Sequence, residues 1–98
     1  MPIQTDKRVM TITHKAFLRS LRPLERHYQV DIDDDLHNIL ISDGSGEARI
    51  GLGSQNIRKI ANLRLPTIEV EFVLEGFDDN ELPLFWSRFD LCFRRGGG

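Results

Sequence analysis

The chain has 98 residues, 40% of them hydrophobic and 29% charged, with a formal net charge of −2. That balance is ordinary for a globular protein and excludes a disordered polymer, and the length suits one domain with a radius of gyration of about 13 Å. No run approaches the roughly 18 apolar residues of a membrane span.

The opening MPIQTDKRVMTITHK has no apolar core of the kind a secretory signal needs, and one cysteine cannot close an internal disulfide. A reducing, cytoplasmic setting with no membrane is therefore the expectation. Charge is spread unevenly. Residues 1–27 carry Lys7, Arg8, Lys15, Arg19, Arg22 and Arg26 against Asp6 and Glu25, a local +4, and residues 28–98 sum to −6. Such asymmetry suits a basic face for an acidic partner, or two parts of one fold that attract each other.

Residues 1–7 read as a loose start. Arg8 to Ile12 is a candidate strand with Val9 and Thr11 on one face. Thr13 is a suitable N-cap for a helix carrying Phe17, Leu18 and Leu21 at helical spacing. Pro23 has no N–H and should break that helix near Arg22, with a second turn restarting over Pro23–Tyr28. Asp31, Asp33, Asp34 and Asp35 then form an acidic stretch, expected as a solvated loop opposite the basic first helix.

The period then changes to two. Asn38–Ser42 and Glu47–Leu52 read as strands joined by Asp43-Gly44-Ser45-Gly46, because a tight hairpin turn needs positive φ angles that Gly and Asp tolerate. Gln55–Leu63 reads as a short helix capped by Ser54, with Ile57, Ile60 and Ala61 facing inward and Pro66 beyond its end. Thr67–Glu75 is the clearest strand. Ile68, Val70, Phe72 and Leu74 point one way and Glu69, Glu71 and Glu75 the other, so the sheet should be covered on one side only.

The segment Asp78–Gly98 gives the second main helix. Asp78 and Glu81 have capping-box spacing, and Leu82, Phe85, Trp86, Phe89, Cys92 and Phe93 form one stripe. Acidic residues at its start and Arg94 and Arg95 at its end suit the helix dipole, and Gly96 is a stop. The stripe is expected to pack on Phe72.

Few constellations suggest chemistry. Gly51-Leu52-Gly53-Ser54-Gln55, followed by Arg58 and Lys59, resembles an anion cradle at a helix N-terminus. Gly53, Ser54, Gln55, Arg58 and Lys59 would then be the anion-binding residues. Neither the phosphate-loop pattern nor the dinucleotide fingerprint is complete. The aspartate stretch fails the calcium-loop pattern, which needs Gly at the sixth position and Glu at the twelfth where Leu36 and Ser42 stand. His14, His27 and His37 show no metal-ligand spacing among themselves or with Cys92. No nucleophile can be set beside a base, so no catalytic residue is assigned.

The ending Arg94-Arg95-Gly96-Gly97-Gly98 resembles the Gly-Gly tails of ubiquitin-like modifiers and sulfur carriers. Those tails follow a strand, whereas this one follows a predicted helix and adds a third glycine. Lys15, Arg19, Arg22 and Arg26 could line a basic helix for nucleic acid, but the pI near 5.9 and the acidic sheet face oppose that partner.

The sequence thus predicts an α+β two-layer sandwich over residues 1–98, ordered β-α-β-β-(short α)-β-α. Its antiparallel sheet has three or four strands under two main helices, and a ferredoxin-like core with an added helix is one such arrangement. Residues 96–98 are expected to be a loose end. The expected function is a non-catalytic protein-interaction module, a homodimer or adaptor, with no cofactor. Phe85, Trp86, Phe89, Phe93, Arg19 and Arg22 are its candidate contact residues. The alternatives are anion or nucleotide binding at Gly51–Lys59 and a carrier role for the glycine tail.

Overall fold

Alternating residues set the sheet, and the period-two stretches of the sequence all pair in one antiparallel layer. A computed structural model describes residues 3–33, 35 and 37–93. It contains β1 (Ile3–Met10), α1 (His14–Ser20), a 3-10 helix (Arg22–Arg26), β2 (Gln29–Ile32), β3 (Asn38–Ser42), β4 (Glu47–Ile60), β5 (Leu63–Glu75) and α2 (Glu81–Phe93). The five strands lie in the order β1-β5-β4-β3-β2. Every neighbouring pair is antiparallel. β1 and β2 therefore run the same way at opposite edges, and α1 with the 3-10 helix carries the chain from one edge to the other.

The α+β class holds, but the sheet has five strands rather than three or four. β2 supplies the extra strand from the stretch expected to be a loop. Its Val30 and Ile32 share the helix-covered side with Ile41 and Ile39 through the register. A ferredoxin-like arrangement is excluded, because that fold's split β-α-β unit leaves one strand between its parallel pair and here three intervene. Ile3–Lys7, expected to be loose, are the first part of β1 and pair with Val70's neighbours Glu71–Glu75. Val9 points away from the core and Arg8 toward it.

The core forms between one sheet face and the helices. Phe17, Leu21, Leu24 and Tyr28 meet Ile39, Ile41, Ala48, Ile50, Ile68, Val70 and Phe72, all buried, with Phe85 and Phe89 of α2 closing the layer. Phe72 lies edge-on to Trp86 and Phe89 at centroid distances of 5.0 and 5.2 Å, as the stripe predicts.

Local signals work as chemistry requires. Thr13 Oγ1 accepts from the Ala16 N–H at 3.1 Å. Asp78 Oδ1 accepts from the Glu81 N–H at 2.7 Å while Glu81 Oε1 accepts from the Asp78 N–H at 3.3 Å, a reciprocal capping box with Asp in the first position. Gly76 has a φ of +87°, and a Cβ there would come within 2.7 Å of the Ser45 carbonyl oxygen, so this junction into α2 requires glycine.

The largest correction is at residues 55–63. They are not a short helix but the outer half of a long hairpin. β3 pairs with β4 only as far as Gly51, and β1 with β5 only as far as Ile68. Beyond those points β4 and β5 pair only with each other, from Gln55↔Ile68 to Ile60↔Leu63. The result is a two-stranded arm turned by Ala61-Asn62. It lengthens the molecule to 45 Å against 25 and 23 Å in the other directions. Ile57, Ile60 and Ala61 are exposed rather than inward.

Candidate functional site

The arm begins at a β-bulge. Between the pairs Leu52↔Val70 and Gln55↔Ile68, Gly53 and Ser54 together face Glu69. A bulge swaps the faces of the residues that follow it and re-aims the strand. Before it, Ala48, Ile50 and Leu52 point into the core. After it, Gln55, Ile57 and Lys59 lie on the helix side of the ribbon, and Arg58 and Ile60 lie on the other.

Two histidines distant in sequence clamp this bulge. His14 Nε2 lies 2.7 Å from the Gly53 carbonyl oxygen and His37 Nδ1 lies 3.3 Å from that of Leu52. Each ring must donate an N–H, since a carbonyl only accepts. The rings meet edge to face at 5.1 Å. Backbone bonds add to the clamp, with the His14 N–H donating to Gln55 Oε1 at 3.2 Å and the Leu52 N–H to the His37 carbonyl at 2.7 Å. Sequence spacing could not reveal this pair, because the topology alone brings α1 and the β2–β3 loop to β4.

The arm itself is amphiphilic and basic. Ile57 is 62% exposed, Ile60 49% and Leu63 62%. Arg58, Lys59 and Arg64 stand around them, and Lys59 lies directly across from Arg64 in the register. Like charges opposite each other on a ribbon are destabilising unless something anionic neutralises them. The ion pairs among the described residues are Lys7–Glu71, Arg8–Asp6, Arg8–Asp90 and Arg49–Glu47, so none uses an arm cation.

This geometry changes the meaning of the anion-site residues. Gly53 and Ser54 form the bulge and Gln55 the first pair of the arm, with no helix start to aim free N–H groups at a phosphate, and the Gly53 carbonyl is taken by His14. Arg58 and Lys59 lie farther out, on opposite sides of the arm. The five residues are strung along one strand and do not converge on a single point.

The other candidates also separate. Phe85 and Phe89 are fully buried, while Trp86 and Phe93 are partly buried against the core, so the aromatic stripe is packing surface. The apolar remainder of α2 is Leu84 and Leu91 on its outer side. Arg19 and Arg22 do reach the surface. With His14, Lys15, His37, Glu25 and Asp35 they rim a cleft of ≈ 940 Å³ floored by Leu18, Leu21, Val30 and Ile32. Asp35 thus lies across from α1, whereas Asp31 and Asp33, expected in the same loop, stand on the other face of the sheet. The tail Arg94–Gly98, with Asp34 and Leu36, lies outside the described residues.

Opposite the helices, the open sheet face is acidic. By the registers it presents Asp31, Glu47, Glu69, Glu71 and Glu75, with Asp33 beside Asn38, against the cations Lys7 and Arg49. A hollow of ≈ 510 Å³ lies at Gly51, bordered by Leu40, Val73, Asp31, Asp33 and Glu71.

Among the described residues no three His, Cys, Asp or Glu side chains converge as a metal site, and no helix is long and apolar enough to cross a membrane. No family model, curated protein or solved structure matches the chain.

Proposed function

We propose that the protein is a non-catalytic interaction module that binds an acidic protein surface through the β4–β5 arm. One observation carries this reading. The arm leaves the core as a bare ribbon bearing three exposed aliphatic side chains and three cations that form no ion pair among the described residues. A two-stranded hairpin alone is at best marginally stable in water. Covering each of Ile57, Ile60 and Leu63 would contribute up to about 1.5–3 kcal/mol to a complex. Cations around an apolar centre then set the sign of the partner and its approach.

The test compares capture of partner protein by the wild type with capture by the triple variant R58E/K59E/R64E. Loss of capture in the variant, with circular dichroism unchanged, is the expected result. Equal capture by both forms, or a wild type that neither captures protein nor self-associates in sedimentation, rejects the reading.

A further inference from the structure

The arm and the acidic open face are consecutive lengths of the same two strands. β4 runs from the face, Glu47–Leu52, through the bulge into the arm, Gln55–Ile60. The arm therefore cannot fold back onto its own face without breaking β4 and β5. Among the described residues, both surfaces are left without their complement within one chain.

We propose that the arm's partner is a second copy of this chain, bound so that the arm of each molecule lies along the acidic open face of the other. This rests on the reading of the arm as the contact element. Three features fit it. The first is charge, since the arm carries Arg58, Lys59 and Arg64 with no carboxylate, while the open face carries six carboxylates against two cations, Lys7 and Arg49, both already in ion pairs. Lys59 and Arg64 lie on the far side of the arm from Arg58. The ribbon is a single layer, so these two add longer-range attraction, which about 0.1 M salt screens over ~10 Å.

The second is length. Gln55–Ile60 and Glu47–Leu52 each span about 20 Å at the rise of a strand. An arm is thus long enough to cover a face. A two-fold axis between two facing hairpins, crossing the strands near the bulge, would set arm on face twice, which closes the assembly as a dimer instead of a filament.

The third is shape. By strand alternation Ile60, Leu63 and Leu65 lie on the side of the arm continuous with the open face. They would meet Leu40, Val73 and the ≈ 510 Å³ hollow at Gly51 of the other copy. Sheets stacked in this way bury the apolar residues of both inner faces.

The symmetry supplies a stringent experiment. One variant reverses the arm, R58E/K59E/R64E, and a second reverses the face, E69K/E71K/E75K. Sedimentation equilibrium should show the wild type as a dimer at low salt that dissociates toward about 1 M salt, where screening shortens to about 3 Å. Each variant alone should be a monomer, with an association constant at least ~10-fold weaker. An equimolar mixture should dimerise again. In the mixed pair the acidic arm meets the basic face, and the basic arm meets the acidic face, so both contacts return.

Trp86 fluorescence and circular dichroism check that each variant is folded. As a form that leaves charge alone, I57S/I60S/L63S should also weaken the dimer, through Ile60 and Leu63. A wild type that stays monomeric at low salt overturns the inference, as does a mixture of folded variants that fails to associate. A monomeric wild type that still captures another protein through the arm overturns only the second copy and leaves the interaction module standing. A monomer that instead retains duplex DNA through the arm overturns both.

Discussion

Asp43 shows how one side chain fixes a turn. Its Oδ1 accepts from the Ser45 N–H, the Ser45 hydroxyl and the Gly46 N–H, each at 3.0 Å, while Gly44 takes a φ of +92°. Burial acts to raise its pKa, but the hydrogen bonds from Gly46 and Ser45 together outweigh it and hold the carboxyl below its ordinary value. A depressed carboxylate contributes stability above its unfolded pKa of about 3.9, and that contribution is lost as pH falls through the lower folded value. Asp43→Ala should therefore cost about 1 kcal/mol at neutral pH in urea unfolding, and the gap from wild type should shrink in strong acid. A gap independent of pH would place the role of Asp43 elsewhere. Cys92 behaves in the opposite sense. Burial pushes its thiol up, against a smaller downward pull from the Leu24 backbone, and Sγ donates to the Arg88 carbonyl at 3.4 Å. Only the thiolate is nucleophilic, so alkylation of the folded chain should be slow, rise at a pH above about 8.5, and accelerate on denaturation.

Among the elements, α2 and the β4–β5 hairpin show what local pattern can and cannot specify. Cap, stripe and the acidic first turn agree over Asp78–Phe93, and the helix forms where those signals put it. The arm is different. Ile57 and Ile60 are three apart, and Gln, Arg, Lys, Ala and Leu favour helices, so local preference points to a helix. Pairing with Leu63–Ile68 overrides that preference, and the turn lacks the Asn-Gly pair that would have marked it. Ala61 instead holds a φ of 53°, the one positive value among the described non-glycine residues. β2 was hidden for a related reason, since Val30 and Ile32 are separated by Asp31 inside an acidic stretch. The sheet order and the histidine clamp depend on contacts remote in sequence, which one chain's pattern does not encode. The clamp makes its own prediction. His14→Ala removes the donor to the Gly53 carbonyl, so amide exchange across Gln55–Ile60 and Leu63–Ile68 should quicken several-fold while core amides of β3 stay protected. Uniform acceleration through the sheet would show instead that His14 supports the whole fold.

At the scale of the molecule, charge and architecture divide along one plane. The helix layer with its basic rim lies on one side of the sheet, the carboxylate face on the other, and the arm extends past both. The core is complete without the arm. Phe17, Ile41, Ile50, Val70, Phe72, Phe85 and Phe89 are all buried within the part bounded by Gly51 and Ile68 or by the helices. Association and stability should then be separable. Replacing residues 56–67 by Asn-Gly would join Gln55 to Ile68, which already face each other in the register, through a turn suited to a two-residue hairpin. The shortened chain should keep the near-ultraviolet signature of Trp86 and its aromatic neighbours. Its unfolding free energy should stay within about 1 kcal/mol of the wild-type monomer, because Thr67 is the one buried side chain among those deleted. Its denaturant dependence should fall slightly, in proportion to the smaller surface exposed on unfolding. It should nevertheless fail to bind any partner through the hairpin. A large loss of stability would mean that the arm is part of the folding unit, and its exposed isoleucines would then need a structural explanation in place of a functional one.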